Sequence, residues 1–212
     1  MASMGRPRTH DHRQAALLLD AAEELVDSGG LAALSVRAVA ERSATTTRAV
    51  YSLFGSKAGL VAALGARTFE LLGAGVEALP KTDRPAADLV DAGVGVFRQL
   101  AITRPALFRI GVQQTSVDVA VASQFRPVAW TAFQILESRF HRLQVDGQLP
   151  DREVNEAATQ FHALCEGLAT VEQRGMFPPG SAERLWREAL AALLDGLAQP
   201  PPRRPAGQQR IA

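Results

Sequence analysis

One cysteine, Cys165, stands in 212 residues. That excludes internal disulfides and any zinc site built from several cysteines, and it points to a reducing compartment. Long apolar runs are also lacking. No stretch approaches the roughly 18 residues of a membrane span, and Met1–Arg13 is polar, without the apolar stretch of a secretory signal. The expectation is a cytoplasmic protein with no membrane partner. Nor is there an excess of charge: a net charge of +1 at pH 7 gives the chain as a whole no pull towards nucleic acid. Catalytic signatures are missing. There is no glycine-rich phosphate loop, no nucleophile elbow and no histidine pair at metal spacing, and His141 and His162 stand alone. The sequence therefore predicts no enzyme, no metal and no cofactor.

What is present is a folded chain, 47% hydrophobic and long enough for a real core. Its pattern is helical throughout, which predicts an all-α protein of about nine helices. A first helix is predicted from about His12 to Ser28, ended by Gly29-Gly30. A long helix follows Ser56, carrying Leu60, Leu64, Phe69, Leu72 and Val76 up to Pro80. Pro85 restarts a helix that runs to Thr103, with proline tolerated in the first turn. A short helix covers Ala106 to Gln113, and a long stretch covers Asp118 to Val145, kinked or delayed by Pro127. The last two helices span about 151–174 and 182–198. Met1 to His12 reads as a flexible basic arm, and 199–212, rich in proline and arginine, as a disordered tail.

The stretch Leu34 to Leu60 is the most specific. Ser35 is a good N-cap, and Val36, Val39 and Ala40 fall on one face of a short helix. Ser43-Ala44-Thr45 links it to a second short helix in which Val50 and Phe54 point inward. Thr46, Thr47, Arg48, Tyr51 and Ser52 point elsewhere. Two short helices with such a link form a helix-turn-helix, whose second helix enters the major groove. Arg48 could donate two bonds to guanine, the hydroxyls could meet base edges or phosphates, and Tyr51 could reach a phosphate or sugar. Lys57, after the N-cap Ser56, would sit beside the DNA backbone. A plain helical hairpin with a polar outer face is the other reading of the threonine-rich helix alone. Charge favours the first: from Arg37 to Arg67, Arg37, Arg42, Arg48, Lys57 and Arg67 stand against Glu41 only.

The order Leu34-Ser35-Val36-Arg37, Ala40-Glu41, Ala44 to Phe54 with Val50-Tyr51, then Ser56-Lys57 and Leu60, resembles the DNA-binding domain of the tetracycline-repressor (TetR) family of transcriptional regulators. The resemblance spans roughly Arg13 to Leu64. It implies a three-helix DNA-binding domain over 13–58 and a helical domain for ligand binding and dimerisation over 59–198. Ser35, Arg37, Thr46, Thr47, Arg48, Ala49, Tyr51, Ser52 and Lys57 fall on its DNA-contacting positions. Ala44 stands where glycine is usual, Thr45 where an apolar residue is usual, and Arg48 where small residues or proline are common.

The second half offers aromatic residues on several helices. Phe97, Phe108, Val112, Trp130, Phe133, Phe161, Cys165 and Glu166 are the candidate lining of a ligand pocket, although aromatics on separate helices are more often plain core. Glu166 lies on an otherwise apolar face. It either lines that pocket, faces solvent or pairs with an arginine. In the last helix Leu185, Trp186, Ala189, Leu190, Leu193, Leu194 and Leu197 make an apolar face too wide for one neighbour, which predicts a homodimer through the last two helices. Arg104–Arg109 together with Phe161 to Ala169 is similar to a C-terminal type named for a tryptophan-histidine-glycine pattern, with Phe161 and Glu166-Gly167 in its place. The implied protein is a repressor that binds a palindromic double-stranded DNA operator as a homodimer and is released by a small, hydrophobic effector. A helical small-molecule binder, or a DNA-binding activator without ligand release, are the alternatives.

Overall fold

The structure, a computed structural model, describes residues 8–114 and 117–200, with side chains from His12 onward. The arm and tail read from the sequence lie largely outside the described residues, at 1–7 and 201–212. Among the described residues there is helix and no strand: α1 (Arg8–Ala33), α2 (Val36–Arg42), α3 (Thr47–Phe54), α4 (Lys57–Ala78), α5 (Pro85–Ala92), a π-helical turn (Gly93–Arg98), α6 (Gln99–Thr103), α7 (Pro105–Gly111), α8 (Val119–Val145), α9 (Val154–Gln173) and α10 (Ala182–Leu197). Because 85–103 is one unbroken run, these amount to nine separate helices, and the fold is all-α as the periodicity requires.

The chain forms two compact units. One contains Met1–Gly75 and Gln99–Ala132, the other Val76–Arg98 and Phe133–Ala212. In the first unit α1, α2, α3 and α4 bury Leu18, Ala22, Val26, Leu34, Val39, Val50, Leu60 and Leu64 in one cluster, joined by Ala106, Leu107 and Ile110 of α7. The helical spacing of these residues gives each helix a single apolar stripe, and burying the stripes together is what holds the short α2 and α3. Two contacts bind α7 in. Thr68 Oγ1 of α4 donates to Leu64 O and to Leu107 O, both at 3.0 Å. A Cβ on Gly111 would lie 2.6 Å from Thr68, so only glycine permits that approach. The Asp27 carboxylate of α1 accepts from the Ala106 amide at 2.8 Å and so caps α7 from another helix.

A row of acids on α1 faces arginines of the same unit. Asp20 meets Arg67 at 2.5 Å, Glu23 meets Arg104 at 3.2 Å, and Asp27 meets Arg109 at 3.6 Å. By length and composition α4 would suit a membrane span, but half of its most apolar window is buried in the protein, as befits a core helix.

The second unit is organised by one buried arginine and one aromatic cluster. Arg139 of α8, 1% exposed, donates to the carbonyls that end α4. Asp88 of α5 accepts from the Thr82 amide and hydroxyl, at 2.9 and 2.6 Å, and from Arg142 at 2.6 Å. Around Phe97 the rings of His162 (5.4 Å) and Trp186 (6.5 Å) gather, and Phe140 meets Phe161 at 5.5 Å. Glu172 takes Arg98 through two of its nitrogens and the Trp186 indole N–H at 2.8 Å.

Three elements differ from the sequence expectation. The first helix starts earlier and runs on through Gly29; Gly30, with φ 67 and ψ −173, breaks it, and a further turn delivers Leu34 to the core. Pro127 lies inside α8, whose start it does not delay. Gly93–Arg98 is wound as a π-turn. There Gly93 lets α10 approach: a Cβ would lie 2.4 Å from Leu190 Cδ1 and 3.2 Å from Phe161 Cζ.

Candidate nucleic-acid interface

Three side-chain caps place α2, α3 and the start of α4. Ser35, extended at φ −145 and ψ 154, accepts from the Ala38 amide at 3.1 Å. Thr46, at φ −98 and ψ 150, accepts from Ala49 at 3.2 Å, and Ser56 from Gly59 at 3.0 Å. Each hydroxyl satisfies a first-turn amide that has no partner within its helix.

The turn between α2 and α3 is closed by backbone bonds, Ala44 N to Glu41 O at 3.2 Å and Thr45 N to Ala40 O at 2.9 Å. Ala44 takes φ 50, the left-handed region, which explains why its place suits glycine. Gly55, with φ 71, ends α3. The first turn of α4 then packs so tightly that a Cβ on Gly59 would lie 1.8 Å from Phe54 O.

With Val50 fully buried and Leu53 and Phe54 half-buried against the core, the opposite side of α3 is turned to solvent. Thr47, Arg48, Tyr51 and Ser52 form that side, all exposed, with Tyr51 at 55%. Their spacing of one and four residues puts them on one helical face. Thr46 and Ser35 are exposed at the caps, while Ala49 is half-buried at the edge.

The charges are arranged differently from their order in the chain. Arg37 bonds Glu41 at 2.8 Å, and that hydrogen bond holds its guanidinium above its ordinary pKa. Arg42 pairs with Glu24 of α1 at 2.7 Å, and Arg67 with Asp20 and Glu23. The basic excess counted along 37–67 is thus largely neutralised by α1, whose acids a count confined to that stretch omits. Arg48 has no ion pair among the described residues. Lys57, exposed, donates from Nζ to Leu31 O at 2.8 Å.

Residues 18–64 match the family of bacterial regulatory proteins called the tetR family. The N-terminal part of this chain is a TetR-family domain. No curated protein matches the chain. Solved structures share the fold at low identity. A protein with unknown function from Rhodococcus sp. RHA1 is 20% identical, with a TM-score of 0.77 over 94% of this chain and 100% of that one. The TetR-family regulator PfmR of Thermus thermophilus is 19% identical, with a TM-score of 0.63 over 84% of this chain and 96% of its own. The regulator FadR of Bacillus subtilis, solved in complex with stearoyl-CoA, is 13% identical, with a TM-score of 0.72 over 85% and 98%. The chain has the fold of a TetR-family transcriptional regulator, and α2, the turn and α3 are its helix-turn-helix.

In this TetR-family fold the eight residues expected to line a pocket are divided between the two units. Phe108, Val112 and Trp130 fall in the first unit, where Phe108 is fully buried, Val112 half-buried and Trp130 53% exposed. Phe97, Phe133, Phe161, Cys165 and Glu166 fall in the second. There Phe97, Phe161 and Cys165 are packed core, and burial pushes the Cys165 thiol pKa upward. Phe133 and His162 are half-buried with rings 6.4 Å apart, and burial lowers the His162 pKa. Glu166, also half-buried, has its carboxyl raised by desolvation.

An open groove of about 480 Å³ lies elsewhere in this unit, between Glu137, His141 and Gln144 of α8 and Glu153 and Asn155 at the start of α9. It contains none of the eight. His162, which the sequence left as an isolated histidine, is the polar member of the aromatic cluster. Its spacing of four from Glu166 was the available signal, since both then share a face of α9.

Proposed function

We propose that the protein is a homodimeric, ligand-responsive transcriptional repressor that reads a palindromic operator with α3. The observation that carries this reading is the division of α3 into a buried Val50 and an exposed face of Thr47, Arg48, Tyr51 and Ser52. Arg48 supplies the base-reading donor pair, Thr46, Thr47 and Ser52 meet base edges or phosphates, Ala49 allows close approach, and Tyr51 reaches the backbone. Ser35, Arg37 and Lys57 hold the flanking phosphates. Arg37 has to exchange Glu41 for a phosphate on binding.

One recognition helix spans only a few base pairs, so a dimer that presents two about 34–36 Å apart is needed to specify a site. The last two helices support such a dimer. After Trp186, Leu190, Leu194 and Leu197 are buried within the chain, Leu185, Ala189 and Leu193 of α10 remain half-exposed. On α9, Leu164, Leu168 and Val171 are half-exposed beside the small exposed residues Ala163 and Gly167. Stripes of this kind pack as a four-helix bundle about a two-fold axis.

The effector is a small, hydrophobic molecule taken by the second unit, where Phe97, Phe133, Phe161, Cys165 and Glu166 lie. The stearoyl-CoA bound to FadR supports that class. An effector that prefers one arrangement of these helices shifts the population, moves α4 in each subunit and changes the spacing of the α3 helices. A near-complete swing requires about 5.5 kcal/mol of preference. The site of action is the cytoplasm.

The test is selection of bound sequences from a random DNA pool, with light scattering at micromolar concentration. The reading expects a palindrome and a dimer. A stable monomer, or recovery of sequences without symmetry, refutes it.

A further inference from the structure

We propose that Arg139 is the positioning residue that fixes the direction in which α4 leaves the second unit, and so sets the spacing of the two α3 helices on the operator. This rests on the reading above, in which α4 joins the operator-reading helices to the effector-binding ones. Arg139 is 1% exposed, and its guanidinium donates to Val76 O at 2.5 Å, Leu79 O at 2.6 Å and Pro80 O at 2.7 Å. Val76 O belongs to the last turn of α4, and Leu79 O and Pro80 O follow directly on it. Carbonyls at a helix end have no partners within the helix, and they carry the negative end of its dipole. Val76 O also takes the Leu79 amide at 3.4 Å; Pro80 and Lys81 follow with no glycine to fold back on Leu79 O and Pro80 O, so α8 supplies their partner from about sixty residues away.

The chemistry of this contact makes it directional. A guanidinium is a planar fork of fixed geometry, and each of its bonds to a carbonyl is charge-assisted. The last turn of α4 cannot rotate or slide against α8 without breaking at least one of three bonds, whereas an apolar contact would tolerate sliding. Satisfying a helix end with water costs no buried charge, so burying an arginine for the purpose is expensive unless the geometry itself is needed. The acid whose charge acts on it is already engaged: Asp88 accepts from Thr82 and Arg142. Arg139 is therefore committed to the α4 carbonyls.

The same stretch of α8 carries the aromatic cluster. Phe140 follows Arg139 directly and meets Phe161, and Phe133, less than two turns earlier, meets His162. Repacking of those rings by an effector displaces the backbone that bears Arg139, and the three bonds pass that displacement to the end of α4.

The test uses the full-length dimer and the operator recovered by selection, with its half-sites moved apart or together by one base pair. For the wild type the altered spacing costs on the order of tenfold in affinity. Arg139→Met, which keeps the length and loses the fork, is expected to bind the altered operators within about threefold of the original. Arg139→Lys keeps the charge but reaches fewer carbonyls, and falls between. Circular dichroism and light scattering check fold and dimer. A purely stabilising role would lower the melting temperature and leave the spacing penalty intact, and that result in Arg139→Met, or in Arg139→Lys should the methionine variant not fold, overturns the proposal. A wild type that selects no operator removes the regulator reading itself and the proposal with it.

Discussion

Gly59 lies against the Phe54 carbonyl so closely that a β-carbon at position 59 would be 1.8 Å from that oxygen. The contact joins the end of α3 to the first turn of α4, where Ser56 caps and Lys57 reaches back to Leu31. Backbone meets backbone there, and neither side can yield as a flexible side chain would. Gly59→Ala should therefore cost about 1–3 kcal/mol, the range of an overpacked core, despite alanine's better helix propensity. Urea unfolding measures it; a neutral or stabilising result would show that α3 and α4 can move apart freely.

Ala44 invites the opposite change. Its φ of 50 belongs to the left-handed region, where a β-carbon is crowded. Relief of about 1–2 kcal/mol of strain, less the greater freedom of glycine in the unfolded chain, leaves Ala44→Gly more stable by about 0.5–1 kcal/mol. The same urea titration reads it, and a lowered midpoint would contradict the turn geometry.

These two positions show what the sequence could and could not convey. The helix-turn-helix was legible because its signals are local: hydroxyl caps at Ser35 and Ser56, and inward Val39, Val50 and Leu60 at helical spacing; that Thr46, read as an outward residue, also caps α3 is seen only in the structure. Even the strain at Ala44 could be anticipated from the glycine expected in its place. Long-range partners left no such trace. Nothing periodic announces that Asp27 caps Ala106 or that Arg139 ends α4, because each is one side chain meeting backbone many residues away. The charge count failed for the same reason, since Glu24, Asp20 and Glu23 approach Arg42 and Arg67 only in the folded unit. Aromatic composition could not separate core from pocket: Phe97 and Phe161 are packed, and Trp130 faces outward.

Asp88 gives the fold a pH dependence. Burial alone would raise its carboxyl pKa, but hydrogen bonds from Thr82 and Arg142 outweigh it and hold the value below the ordinary one. A depressed carboxylate contributes stability above its unfolded pKa of about 3.9, and the contribution disappears as pH falls through the folded value. Asp88→Asn should lose about 2–3 kcal/mol at pH 7. The gap to the wild type should narrow as pH falls below about 4. A gap that is constant from pH 7 to pH 3 would show that the charge is not involved.

In the proposed reading, Arg48 and Lys57 divide the work at the interface. Lys57 is near a helix start and meets phosphate, which is the same in every sequence, so Lys57→Ala should weaken binding to all sequences alike and lower the salt slope by about one. Arg48 meets bases. The most direct measurement is the affinity of wild type and Arg48→Ala for the selected operator and its full set of single-base variants. The expected result is a loss of about 1–3 kcal/mol of discrimination at one position in each half-site, with preferences elsewhere unchanged. An Arg48→Ala protein that weakens uniformly, or keeps its preference at every position, would contradict the claim that the outer face of α3 reads the operator.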